Sequence, residues 1–233
     1  CELFYRRRRF LVSGEGYSGK GSIAPEDGGL AAPDFQPLLI PAALCGDSRI
    51  RDGQLIGDPT EGALLALAAK AGADPDRLAE KSPRIAEIPF DSAHKFMATF
   101  HHDGEWVRML IKGAPDVLLA RAEHFLDTTG KAPLSETARA AFESENARLA
   151  GKAMRVLAVA SRDIPANNFD PSSNLMAWAQ QLTLVGLVGI IDPPRPEARD
   201  AIRLCKRAGI QVKMITGDHA LTAAAIAREL GLE

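Results

Sequence analysis

Nowhere in the 233 residues is there an apolar run long enough to cross a bilayer. The longest, residues 182–191, is interrupted by Thr183 and glycines and falls well short of the roughly 20 residues that a membrane helix needs. No succession of charged, apolar and small residues marks a leader at the start, so secretion is not expected. Cysteine is scarce: Cys1, Cys45 and Cys205 lack metal-type or redox-type spacing, which fits reduced thiols in a cytosolic compartment. The five histidines form no ligand pattern. His101 and His102 are adjacent in a predicted strand, where neighbours point to opposite faces, so no metal site is expected. Aromatics make up 6% and the net charge is only −2, which argues against nucleic acid as a partner.

What is present is ordinary globular material. With 46% hydrophobic residues, the chain can bury one substantial core or divide into two domains. Residues 6–12 read as a strand leading into a tight turn in the glycine-rich run 14–21, and the apolar stretch 35–45 reads as a helix despite Pro37 and Pro41. Residues 54–57 suggest a short strand. Asp58-Pro59-Thr60-Glu61 then opens a helix to about Ala71. Asp58 is placed to cap, Pro59 suits the first helical position, and Glu61 falls where a capping box puts its acid. Alternation over 84–90, 95–102 and 105–112 predicts three consecutive antiparallel strands around a turn at Asp103-Gly104. Helices over 115–122 and 135–150 and strands over 155–161 and 182–191 complete an α+β arrangement, an antiparallel sheet flanked by helices. Beyond Asp192 a helix (197–208), a buried strand (211–215) and a helix (219–230) alternate as in an α/β unit. The stiff Asp192-Pro193-Pro194-Arg195-Pro196 stretch therefore marks a boundary between domains 1–191 and 192–233.

Three motifs invite chemistry. GEGYSGKG, residues 14–21, comes close to the phosphate loop G-x-x-x-x-G-K-[ST], but Gly21 has no hydroxyl for magnesium and Pro25 follows where a helix is needed; a hairpin-like turn is expected instead. Arg6 to Arg9 reads as a solvated edge strand rather than a nucleic-acid contact. A strand ending in Met214-Ile215-Thr216-Gly217-Asp218 would place a hydroxyl, a flexible glycine and a carboxylate at the edge of a parallel sheet, ahead of a helix N-terminus that suits phosphate. A plain capping turn fits that triplet equally well.

GIIDPPRPEARDAIRLCKRAGIQVKMITGD, residues 189–218, resembles the hinge and phosphorylation-domain entry of P-type ATPases, particularly the type II calcium and sodium-potassium pump branch. LCGDSRI (44–50), GDPTEGALL (57–65), IPFDSAHKFMATF (88–100), IKGAPD (111–116) and MRVLAVASRD (154–163) resemble, in the same order, the nucleotide-domain signatures of that family. The likeness spans nearly the whole chain.

The resemblance implies an ATP pocket. Phe90 would offer a flat ring to the adenine, in competition with core packing. Glu61 would accept from the adenine amino group, in competition with its capping duty. Lys112 would lie deep in the pocket, with Gly113 and Ala114 admitting the base; Lys95 would lie near the ligand, Arg155 would reach the phosphates, and Thr60 and Met97 complete the nucleotide set. Taken singly, either lysine reads as a solvated side chain and Arg155 as a surface ion pair. Muscle-type calcium pumps carry an arginine two residues after the stacking phenylalanine, where this chain has Ser92.

The family fold implied for residues 192–233 is part of a haloacid-dehalogenase-like phosphorylation domain, in which Thr216, Gly217 and Asp218 would help hold the phosphoryl group. ATP and magnesium are the implied cofactors. The implied partners are the remaining phosphorylation, actuator and transmembrane domains of a pump, at the cytoplasmic side of a membrane. DKTGT, the block with the phosphorylated aspartate, does not occur in these residues, so the chain is expected to bind adenine nucleotide without autophosphorylating. The transported ion is not legible, and calcium follows from the branch resemblance alone. Two alternatives stand beside this reading. One is a stand-alone dehalogenase-superfamily phosphatase, which needs a nucleophilic aspartate in a D-x-D or D-x-T setting after a predicted strand, and none is read there. The other is a non-catalytic nucleotide-sensing module.

Overall fold

The computed structural model describes residues 1–14, 16–29, 33–191, 196–215 and 220–232. Strands β1 (Glu2–Tyr5), β2 (Arg8–Val12) and β3 (Ile23–Pro25) form a meander at the start of the chain. Helix α1 (Gln36–Leu44), the hairpin β4 (Arg49–Arg51) and β5 (Gln54–Ile56), and helices α2 (Pro59–Lys70) and α3 (Pro75–Lys81) follow. Then come β6 (Arg84–Asp91), β7 (Phe96–Asp103) and β8 (Trp106–Gly113), α4 (Pro115–Arg121), β9 (Ala122–Asp127), β10 (Gly130–Pro133), α5 (Glu136–Gly151), β11 (Met154–Pro165) and β12 (Leu182–Ile191). Two further helices close the described chain, α6 (Pro196–Arg207) and α7 (Ala220–Leu230).

The main sheet runs β3-β2-β1-β12-β11-β8-β7-β6, antiparallel at every step. β9 departs from the rule, pairing parallel with the start of β12, and β10 hangs on β9. Alternation along the strands divides the apolar residues into two layers. On one face Phe96, Ala98, Phe100, Met109, Ile111, Ala158 and Leu187 pack against Leu118 and Leu119 of α4 and Phe142 and Leu149 of α5. On the other, Leu3, Tyr5, Val159 and Val188 pack against Leu38 and Leu39 of α1 and Leu64 and Leu67 of α2. The sheet is thus sandwiched between helices, the α+β arrangement that the alternation predicts.

Several expectations are corrected. Residues 211–215 form no strand among the described residues, and Ile215 is 97% exposed. A parallel strand needs neighbours on which to hydrogen-bond, and no described strand lies beside this segment. The arginine run is not an edge strand, although Arg7 and Arg9 are exposed. Arg6 and Arg7 occupy the two turn positions between β1 and β2 with φ of 49° and 60°, while β2 is paired on both sides. The arginines are tied down: Arg6 to the Tyr5 hydroxyl, Arg7 towards Asp127, Arg8 to Asp27 and Arg9 to Glu145. The described residues of the glycine-rich run, 14 and 16–21, do lie in a hairpin loop, closed by the Ser13 amide on the Ser22 carbonyl (3.0 Å) and by their hydroxyls. His101 is buried and His102 exposed, as adjacent strand residues should be.

Candidate functional site

The first turn of α2 is the centre of the site. Asp58 caps it, its carboxylate accepting from the amides of Thr60 (2.8 Å) and Glu61 (3.2 Å). The expected capping box is only half made, because the Asp58 amide donates to the Ser48 hydroxyl (2.8 Å) and the Glu61 side chain turns away from the helix. Glu61 Oε1 accepts from Lys112 Nζ of β8 at 2.6 Å. Glu61 Oε2 accepts from the amides of Asp47 and Ser48, both at 2.9 Å, and from Ser48 Oγ at 2.8 Å.

The Glu61–Lys112 pair is nearly enclosed, the side chains being 16% and 9% exposed. Burial alone would push the Glu61 carboxyl up; the Lys112 ammonium and the donors from Asp47 and Ser48 outweigh it and hold the group at about 2. Beside the pair the Cys45 thiol is fully buried, and burial pushes its titration up in spite of the Lys112 charge. An ion pair so enclosed contributes little net stability, but removal of one partner costs about 3–5 kcal/mol because the other is left buried and alone.

Strand register gathers the other expected residues at the same end of the sheet. Met97 faces Lys112, and Lys112 faces Val159 of β11. A bulge between Ile88 and Asp91 fits one extra residue into β6, so Asp91 faces Phe96 and Phe90 flanks Met97. Ile88, before the bulge, is buried; Phe90, within it, is 65% exposed. An aromatic held open by a bulge at the end of a sheet is not filling a core.

Lys95 is not in β7, as the alternation predicts, but in the preceding turn, exposed and at φ 55°. Its carbonyl accepts from the Ala114 amide (3.0 Å). Gly113 has a local reason to lack a side chain, since a Cβ there would lie 2.6 Å from that carbonyl and from Phe96. Arg155, four residues before Val159 and on the same face, donates to Thr60 Oγ1 (2.8 Å). Thus Thr60, Glu61, Lys112 and Arg155 are joined directly through the first turn of α2, and Phe90, Lys95, Gly113 and Ala114 stand at the ends of the adjacent strands. Met97 is set apart: it is buried with Leu44, Cys45 and Leu110 and forms floor rather than wall. Thr216, Gly217 and Asp218 lie outside the described residues.

Sequence reading gave no chemical role to Ser48, Asp47, Gly57 or Arg84. Arg84 of β6 grips the loop between α1 and β4, donating to Asp47 Oδ1 (2.7 Å), the Leu44 carbonyl (3.2 Å) and the Gly46 carbonyl. The signal was present in the strings LCGDSRI and GDPTEGALL, but pairing them needs the fold. A D-x-T triplet, Asp127-Thr128-Thr129, does follow a strand, the unforeseen β9. There the Asp127 carboxylate takes the Thr128 amide (2.7 Å) in the turn to β10, with Arg7 beyond it.

Residues 34–197 match the family model described as "P-type ATPase, cytoplasmic domain N". The chain is 42% identical over 233 residues to a calcium-transporting ATPase of Bacillus subtilis, an alignment covering 97% of this chain and 26% of that protein. It is 40% identical to the cation-transporting ATPase pma1 of Synechocystis, covering 97% and 26%. It is 44% identical over 197 residues to a calcium-transporting ATPase of Listeria monocytogenes, covering 84% and 22%. The chain therefore spans about a quarter of the length of the curated relatives it matches.

Proposed function

We propose that this chain, which belongs to the P-type ATPase cytoplasmic domain N family, is the part of a cation pump that binds ATP and presents its terminal phosphate to an aspartate elsewhere in the same protein. The observation that carries the reading is the Glu61–Lys112 pair at the base of a sheet end that also displays an open aromatic, Phe90. Phe90 stacks on the adenine, Glu61 accepts from its amino group, and Gly113 and Ala114 leave the base room. Lys95 and Arg155 hold the phosphates, Arg155 with a guanidinium already oriented by Thr60. Thr216, Gly217 and Asp218 serve the phosphoryl group.

Magnesium supplies charge neutralisation on the transferred phosphate. The carboxylates that would hold it lie mostly outside this chain, and among the described residues no cluster of three or more His, Cys, Asp or Glu could do so. The aspartyl phosphate divides ATP hydrolysis into two easier steps that drive ion movement. The ion is calcium, on the names of the Bacillus and Listeria relatives. The partners are the remaining phosphorylation, actuator and transmembrane domains, and the chain works on the cytoplasmic side of a membrane. No helix among the described residues is itself long and apolar enough to cross one.

Amide chemical shifts followed during ATP titration test this. ATP should move Phe90, Lys95, Lys112 and Gly113 first. Phe90→Ala should weaken binding by about 1–3 kcal/mol, the worth of an aromatic stacked on a base, with little loss of stability because the ring is mostly exposed. Unmoved resonances at millimolar ATP, or an unchanged affinity in Phe90→Ala, would remove the proposed pocket.

A further inference from the structure

Ser48 is a small hydroxyl residue, 9% exposed, in the loop that joins α1 to β4. Its hydroxyl holds two groups at the start of α2 at once, accepting from the Asp58 amide and donating to Glu61 Oε2. Gly57 makes this possible: at φ 124° it passes so close that a Cβ would lie 2.3 Å from Ser48 Oγ. With the amides of Asp47 and Ser48 added, Oε2 takes three donors, whereas Oε1 takes only Lys112. A carboxylate oxygen accepts about two hydrogen bonds comfortably. Oε2 is therefore full, and Oε1 keeps one acceptor direction.

The same loop keeps that direction open. A Cβ on Gly46 would stand 3.1 Å from Oε1 and 3.1 Å from Lys112 Nζ, so the missing side chain is what leaves space above the pair. Other charges around Glu61 are occupied. Asp58 is taken by the helix amides, the Asp47 carboxylate is turned to Arg84, and the Cys45 thiol is buried.

We propose that Ser48 is a positioning residue for base selection: it locks Glu61 Oε2, so that Oε1 is offered beside Lys112 to a ligand donor, which favours bases carrying an exocyclic amino group there over bases carrying a carbonyl. The inference rests on the nucleotide reading above and adds to it the residues that aim the acceptor. A base with a carbonyl at that point would set oxygen against oxygen and leave the acceptor unpaired, which costs more than a missing contact.

The test uses the 233-residue chain, with Glu61 followed through its side-chain carboxyl carbon by NMR and with ATP and GTP affinities measured by calorimetry. Ser48→Ala should raise the Glu61 midpoint by about one pH unit or more, weaken ATP about tenfold, equivalent to about 1.4 kcal/mol, and leave GTP nearly unchanged. Ser48→Thr, which keeps the hydroxyl, should restore both. Equal loss of ATP and GTP with an unmoved Glu61 midpoint would reduce Ser48 to a structural residue and overturn the proposal. Should Ser48→Ala not fold, Gly46→Ala decides: it should weaken ATP with the Glu61 midpoint unchanged, and unaltered ATP affinity would show that Oε1 is not the acceptor. If the wild-type chain binds no ATP, the nucleotide reading falls and base selection with it, while the Glu61 midpoint alone still judges the Ser48 lock.

Discussion

Glu61 ties three pieces of chain together: its own helix, the loop before β4, and β8 through Lys112. Its carboxyl is held at about 2 against an ordinary value of 4.5, so the folded state favours the charged form. The associated stability is fully present above about pH 4.5 and is lost as pH falls through the folded value near 2. A gap of that size corresponds to about 3 kcal/mol. Glu61→Gln should accordingly be less stable than wild type by about 3 kcal/mol at pH 7, because Lys112 is left buried without its partner. The difference should narrow as pH falls from 4.5 towards 2, where wild type also loses the charge. Urea midpoints at pH 7, 4.5 and 2.5 measure this. The variant comparison matters because Glu2 and Glu145 are also held below the usual carboxylate range by Arg148 with Lys152 and Arg9 respectively, against the opposing effect of burial, and they contribute to acid unfolding in both proteins. A gap that stays constant with pH would show that the carboxyl titrates normally.

At the scale of elements, α2 is positioned by its start more than by its length. Asp58 caps it, Ser48 receives the Asp58 amide, and Gly57 supplies the tight approach. Gly57→Ala forces a side chain into a left-handed position and onto the Ser48 hydroxyl, so it should destabilise the fold by about 1–3 kcal/mol and weaken ATP binding together with it. Thermal unfolding and calorimetry check both; a neutral Gly57→Ala would mean that the loop shifts freely and does not aim Glu61. The same element shows what sequence can and cannot convey. Its capping residues were legible because they act on their own neighbours, whereas the turn of Glu61 towards Lys112, 51 residues on, depends on how the sheet stacks under the helix. β6, β7 and β8 were legible from alternation. β1 was not, since all four of its residues are buried, with Phe4 in one apolar layer and Leu3 and Tyr5 in the other, and no alternation is left. β9 follows α4 without a break, and its place in the main sheet rests on its parallel contact with β12, a long-range feature. α3 buries no residue, so it carries no apolar stripe, and its signals are the Asp74 cap and Pro75 at its first position. Of the site, Glu61, Lys112, Thr60 and Arg155 were named from family likeness; their meeting through the first turn of α2 was not deducible from any one string.

For the molecule as a whole, the distribution of core decides where a stable unit ends. Among the described residues, every strand of the main sheet lies within residues 2–191, and none of the three buried apolar clusters includes a residue beyond Ile190. α6, by contrast, leaves Leu204 68% exposed, and Ile210 beyond it is 57% exposed. Free energy from apolar burial scales with area removed from water, so α6 adds little to the core before it, while α7 lies against α5. We propose that the boundary expected at residues 192–196 is a boundary of stability as well as of sequence grammar. A chain cut after Ile191 should keep its urea midpoint and its unfolding slope, since both report the surface buried in the sheet and its two helical layers. On the proposed nucleotide reading it should also match the longer chain in ATP affinity, because Thr60, Glu61, Phe90, Lys95, Lys112 and Arg155 are all retained. Denaturant titration and calorimetry on the two lengths decide the matter. A lower midpoint in the shorter chain would show that α6 and α7 support the sheet, whereas an unchanged midpoint with weaker ATP binding would show that residues after Ile191 reach the nucleotide.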